Sequence, residues 1–243
     1  MTAIVDPFAT VAALDGVGVA AAHARDSIDA LLRHPAMRRD AARVAAESAL
    51  RGARASAALA GGDPDDLSDP FVQGALRAGA EVPELAEVWQ RSPRQALARL
   101  HMLAAHDLVT DPDALGRPRP DVDAVRLDQL LRLATARTSA PGIVVAAIVH
   151  GELRALAPFG SADGLVARAA ERVVLVARGV DTKAVGVPEA GHLALARAYE
   201  PLLETYTSGR PDAVGAWIRH CADAYARGAE EGLAIASTEQ GPA

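Results

Sequence analysis

The stretch IVVAAIVHGELRALAPFGSADGLVAR, residues 143–168, decides how this chain folds. Its first part, Ile143 to Leu156, is an apolar run of helical character. The next residues, Ala157 to Ala162, include Pro158 and Gly160 and break that helix. A second helix is predicted to open around Asp163. A loop that runs into a helix start leaves backbone N–H groups and the positive end of the helix dipole directed at one point, which is a ready cradle for a phosphate or another anion. The sequence around this helix–loop–helix is helical as well.

Going outward, DSIDALLRH (26–34) repeats apolar residues at helical spacing up to Pro35. RRDAARVAAESALRGARASAALAGG (38–62) is a long alanine- and arginine-rich helix stopped by Gly61 and Gly62. Asp69-Pro70 suits a helix start for DPFVQGALRAGAEV (69–82), and Ser92-Pro93 suits one for SPRQALARLHMLAAHDL (92–108). Residues 109–122 hold several prolines and little periodicity, and read as a loop or a poor hairpin. AVRLDQLLRLATA, LVARAAERVVLVARG, EAGHLALARAYEPLLETYTSG and DAVGAWIRHCADAYARGAEEGLAIA are further helices. No alternating strand pattern or βαβ rhythm appears. The expected fold class is all-α, with at most a small hairpin or flap near 109–122. The expected organisation is an N-terminal helical extension (1–37), a main helical domain (38–232) and a flexible tail (233–243).

Composition narrows the function. The 243 residues carry 25 basic and 31 acidic side chains, a net charge of −6, which argues against a nucleic-acid partner. Half of the residues are hydrophobic but only 3% are aromatic, so the core is to be built from Ala, Leu and Val. One cysteine, Cys221, leaves no internal disulfide and fits a reducing cytoplasm. The N-terminus has no basic segment and an early Asp6, which predicts no signal peptide. The longest apolar run, Ile143 to Val149, is far short of the roughly 20 residues a membrane span needs. A cytoplasmic chain with no membrane contact is the expectation.

Residues 157–168 resemble the active-site motif of the Fic (Fido) family, His-Pro-Phe-x-Asp/Glu-Gly-Asn-Gly/Lys-Arg-x-x-Arg. The helix before it, AAIVHGELRALAPF (146–159), places His150 at the family's helix histidine and Pro158 and Phe159 in the loop. The helix AAERVVLVARGV resembles the one that follows the motif, and Tyr199 to Leu203 and Trp217-Ile218 resemble the closing helices. The resemblance covers roughly residues 38–230 and implies a Fic-like helical bundle. It also implies a nucleotide-handling loop, with a target-docking flap in about the place of 109–122.

The departures from that motif fall on the groups that do the chemistry. The motif histidine, the family's general base, is Ala157, and losing a positioned base costs about 10²–10⁴ in rate. The metal-binding carboxylate is Ser161, the first glycine is Ala162, the asparagine is Asp163 and the first arginine is Leu165. Gly164 and Arg168 alone remain of the phosphate-contacting set. Many members also carry an inhibitory helix, Ser/Thr-x-x-x-Glu-Gly/Asn. ESALRG (47–52) resembles it with Gly52 in place, but Glu47 stands at the Ser/Thr position and Arg51 at the glutamate. Glu47 and Arg51 are expected to pair with each other across one turn.

The reading is therefore a catalytically inactive Fic-like protein, a pseudoenzyme of the AMP-transferase type that acts as a scaffold or regulatory protein. It would work through a protein partner or a homodimer and need no cofactor. The alternative keeps a residual nucleotide or anion site at Asp163, Gly164 and Arg168. Against that alternative, Asp163 also suits an N-cap, Arg168 also suits pairing with Glu171 or Glu47, and His150 suits a hydrogen-bonded structural role. His101 and His106 do not share a helix face, and His220 and Cys221 diverge, so no metal site is predicted. GVGVAA (16–21) satisfies GxGxxA, a fragment of the dinucleotide-binding fingerprint, and leaves an NAD-dependent oxidoreductase as a remote alternative without its strand context.

Overall fold

The computed structural model describes residues 6–238. The elements in chain order are α1 (Pro7–Ala12), α2 (Val17–Arg33), α3 (Ala36–Arg39), α4 (Ala41–Leu59), α5 (Pro70–Ala80), α6 (Val82–Arg91) and α7 (Pro93–Ala105). After a 3-10 turn at Pro112–Ala114 come α8 (Ala124–Thr135), α9 (Gly142–Leu156), α10 (Asp163–Ala177), α11 (Pro188–Ala194), α12 (Ala196–Tyr206) and α13 (Pro211–Ser237). Among the described residues there is no strand, so the fold is all-α and 109–122 forms a 3-10 turn with loops rather than a hairpin.

α9 and α10 are the centre. Ten residues of α9, from Ile143 to Leu156, are buried, as its apolar sequence requires. α10 packs against α9 on one side and against α4, α5, α6 and α7 on the others. Small residues set the distances between helices. A side chain on Gly191 of α11 would put its Cβ 1.9 Å from the Ala224 carbonyl oxygen, so α11 lies directly on the backbone of α13.

Several sequence boundaries move. The GVGVAA segment is no strand-to-helix turn: Gly16 (φ +71°) precedes α2, whose first residues are Val17 to Ala21, so the dinucleotide fingerprint has no βαβ unit around it. Residues 17–37 are also no mere extension. Val17, Ala21, Ala24, Ile28, Leu31 and Met37 belong to the common core, and α2 lies along α13. The last helix continues through 233–237 with Ile235 and Ala236 buried, so the tail predicted from 233 is helical up to Ser237, and only its end lies outside the described residues. The helix read over 189–209 is two, α11 and α12, broken at Leu195. The alanine-rich pattern continues across the break and does not mark it. α6 is a helix beyond those predicted from the sequence, and Val82, Leu85, Ala86 and Trp89 bury one face of it at helical spacing.

Candidate functional site

The loop between α9 and α10 is fixed from both ends. α9 terminates at Ala157 with φ +41°, and Ala162, before α10, has φ +53°. Both alanines sit in the left-handed region that favours glycine, at about 1–2 kcal/mol each. The 109–122 segment holds them there. Arg119 donates its backbone N–H to the Pro158 oxygen at 2.8 Å, Nε to the Ala157 oxygen at 2.8 Å and Nη2 to the Leu156 oxygen at 3.2 Å. One arginine thus satisfies the carbonyls that the end of α9 leaves open.

His101 on α7 supports the other side of the loop. Its Nδ1 accepts from the Gly116 N–H at 2.9 Å, which leaves the proton on Nε2, 3.0 Å from Ser161 Oγ. Its ring stacks on Phe159 with centroids 4.0 Å apart. Burial lowers its pKa to about 4. Ser161, at the motif's carboxylate position, is therefore engaged with an imidazole.

Asp163 is the first residue of α10 rather than its cap. Its Oδ1 reaches back and accepts from the Phe159 N–H at 3.0 Å. Ala162 is the residue before the helix, and no side chain caps α10. Burial raises the Asp163 pKa. Arg168 is 2% exposed and pairs with neither Glu171 nor Glu47. Its Nε donates to Ser56 Oγ at 2.8 Å, Nη2 to the Ser56 carbonyl oxygen at 2.8 Å and Nη1 to the Tyr199 hydroxyl at 3.4 Å. Around these groups lies an open cavity of about 360 Å³, walled by Leu59, Ala60 and Phe71 with Arg154 at one side. Ala157 and Leu165 line it where the motif has a histidine and an arginine, and Asp163 is its one carboxylate.

No model of a known protein family matches the sequence, and no curated protein matches it. Among solved structures, the chain is similar to a Fic family protein from Desulfovibrio desulfuricans G20, at TM-score 0.72 and 18% sequence identity, over 93% of this chain and 77% of that one. The fold is that of a Fic family protein.

Within this Fic fold, α4 meets the motif loop at its C-terminal end. Glu47 and Arg51 pair as expected, Nε to Oε1 at 2.9 Å, and Arg51 also binds Glu231 on α13, away from Arg168. Gly52 faces Glu189. The residues of α4 that reach the loop are Ser56, Leu59 and Ala60. Glu47, Arg51 and Gly52 therefore face α13 and Glu189 rather than the motif loop. Arg119 and His101 carry no motif that singles them out.

Behind the motif helix lies a second group of polar residues. His150 Nδ1 is 2.5 Å from Glu171 Oε2, and its Nε2 is 2.7 Å from the Tyr199 hydroxyl. His192 Nε2 is 3.1 Å from Glu171 Oε1, and its Nδ1 is 3.3 Å from His220 Nε2. The Tyr225 hydroxyl donates to Glu171 Oε2 at 3.0 Å. Burial lowers the pKa of His150 to about 4 and of His220 to about 3. Burial opposes the Glu171 charge, but the imidazole partners outweigh it and hold the carboxyl well below its usual range. Both ring nitrogens of His150 thus have hydrogen-bonding partners. The fold also brings together residues that are far apart in the sequence: ligand atoms of His150, His192 and Cys221 lie within 4.8 Å of one another. Among the described residues, no helix is long and apolar enough to cross a membrane.

Proposed function

We propose that this Fic-fold chain transfers no nucleotide and acts through its surfaces, as a cytoplasmic scaffold or regulatory protein that binds a protein partner or a second copy of itself. The observation that carries this reading is the occupation of the motif loop from within. The Asp163 carboxylate lies in the loop cavity and takes the Phe159 N–H, a donor that a phosphate bound there would compete for. An incoming phosphate would have to displace a carboxylate whose charge repels it, by about 4 kcal/mol at 4 Å in an intermediate dielectric. With Ala157 in place of the base, the position that would take a proton from a target hydroxyl carries only a methyl group. Incubation with labelled ATP, with and without magnesium, is expected to leave the chain and added proteins unlabelled, and millimolar nucleotide is expected to leave the melting temperature unchanged. Label transfer that vanishes in Asp163→Asn would overturn the reading and make Asp163 a substitute base.

One observation favours the alternative of an anion or nucleotide binder. The Arg168 and Arg154 guanidiniums converge on Gly164, where a Cβ would stand 3.4 Å from Arg168 Nη1 and 3.8 Å from Arg154 Nη1. Arg154 Nε is buried without a partner. Saturable stabilisation by phosphate or ATP that is lost in Arg154→Ala supports this second reading.

A further inference from the structure

We propose that His150, Glu171, His192 and Cys221 form a site for one divalent transition-metal ion of the zinc class, buried where α9, α10, α11 and α13 meet. Three of these side chains already bring their ligand atoms within 4.8 Å of one another. The fourth, the Glu171 carboxylate, lies between the two imidazoles, 2.5 Å from His150 Nδ1 and 3.1 Å from His192 Nε2. Bonds of about 2.0–2.3 Å place the donors around a tetrahedral ion roughly 3.3–3.8 Å apart. To reach that spacing the two imidazoles and the thiol must draw in from separations of up to 4.8 Å, and Glu171 must ease away from His150 and swing towards the thiol. Two imidazoles, a thiolate and a carboxylate suit zinc or cobalt rather than magnesium or calcium, which prefer oxygen donors.

The surroundings are those of a metal site. A ligating imidazole is normally oriented through its other nitrogen. His150 Nε2 has the Tyr199 hydroxyl at 2.7 Å and His192 Nδ1 has His220 Nε2 at 3.3 Å, while Tyr225 holds the carboxylate at 3.0 Å. Glu171 is fully buried, and its ion-pair partners among the described residues are His150 and His192 alone. A buried carboxylate without a fixed cation is costly, and a bound dication supplies the missing charge.

The proton balance closes. In the empty cluster, His150 Nδ1–H and His192 Nε2–H point at Glu171. On binding, each neutral imidazole gives that nitrogen's lone pair to the ion and carries its single proton on the far nitrogen. His150 Nε2–H then donates to the Tyr199 oxygen and His192 Nδ1–H to His220 Nε2, whose own proton moves to its Nδ1. The Cys221 thiol releases its proton to solvent and binds as thiolate, so one ion enters and one proton leaves. This site is separate from the motif cavity and does not depend on whether that cavity binds an anion.

The test is to express the full chain in medium supplemented with cobalt, which loads the core as it folds. One cobalt per chain is expected after gel filtration, with the strong visible bands of a tetrahedral ion and a near-ultraviolet thiolate-to-cobalt band. Cys221→Ala is expected to lose the thiolate band while keeping its helical circular dichroism, and His192→Gln to bind less than a tenth of the metal. A folded wild-type chain with no stoichiometric metal overturns the proposal. So does bound cobalt with no thiolate band, or with a band unchanged in Cys221→Ala. If a variant does not fold, the metal content and thiolate band of the wild type decide alone.

Discussion

Arg168 of α10 grips Ser56 of α4 twice, through the hydroxyl and through the carbonyl oxygen, both at 2.8 Å. The arginine that the motif would direct at a phosphate is committed to holding two helices together. Arg168→Ala would leave the buried oxygens of Ser56 without a donor and open a void, a loss of about 3–5 kcal/mol. Ser56→Ala removes one of the two acceptors and should cost about 1–3 kcal/mol. Urea unfolding of the two variants checks that ordering. An Arg168→Ala chain as stable as the wild type would mean that the grip is not structural.

Arg119 ties 109–122 to the motif through its side chain as well as its backbone N–H. Arg119→Ala keeps the backbone bond to Pro158 and removes the two guanidinium bonds. Global stability should fall by about 1–2 kcal/mol. The larger effect should be local: amide exchange and protease cleavage within 109–122 should rise well above wild type, because few other bonds hold this loop to the core. Equal cleavage in both chains would show that the loop is held by other contacts.

The centre of this fold is legible in the sequence because it rests on local signals. The apolar run before Ala157, the break at Pro158 and Gly160 and the helix start at Asp163 appear where the pattern puts them. Roles are less legible than positions. Asp163 suits a helix cap by residue type, yet the left-handed Ala162 turns the loop so that the N–H of Phe159 is its partner. Arg168 reads as a partner for a nearby carboxylate, but its bonds go to Ser56, more than a hundred residues earlier in the chain. The His150 cluster is the least legible part. Its members come from five helices, and each alone reads as a single polar residue in an apolar face.

His101 makes the chain sensitive to acid. Its Nδ1 accepts the Gly116 N–H, so protonation would set two donors against each other in a buried place. Burial holds its pKa near 4, below the ordinary histidine value of 6.5. The unfolded chain therefore binds the proton first. Stability is full above pH 6.5, falls as the pH drops towards about 4 and levels off below that, by at most about 3 kcal/mol from this residue. His150, held near 4, and His220, held near 3, act in the same direction. Nitrogen-detected NMR of the folded chain should show the His101 ring titrating near 4, and His101→Gln should flatten part of the acid slope. A ring that titrates near 6.5 would contradict this account.

Gly191 and Gly18 turn the same substitution to opposite signs. At Gly191 an added methyl would sit 1.9 Å from the Ala224 oxygen and 2.8 Å from its Cα, atoms of the α13 backbone that no rotamer change can move. The helices must separate, and α11 would carry His192 away from Glu171, 3.1 Å distant. Overpacking against side chains costs about 1–3 kcal/mol, and a rigid backbone should put Gly191→Ala at or above that range. Gly18 is exposed in α2, and a methyl there meets nothing within 4 Å. Gly18→Ala should stabilise by about 0.5–1 kcal/mol, because alanine loses less backbone freedom in a helix. Thermal unfolding of the pair, with the Cys221 thiol probed by a thiol reagent in each, separates the two effects. Gly191→Ala should melt earlier and expose the thiol faster, whereas Gly18→Ala should melt later with the thiol still protected.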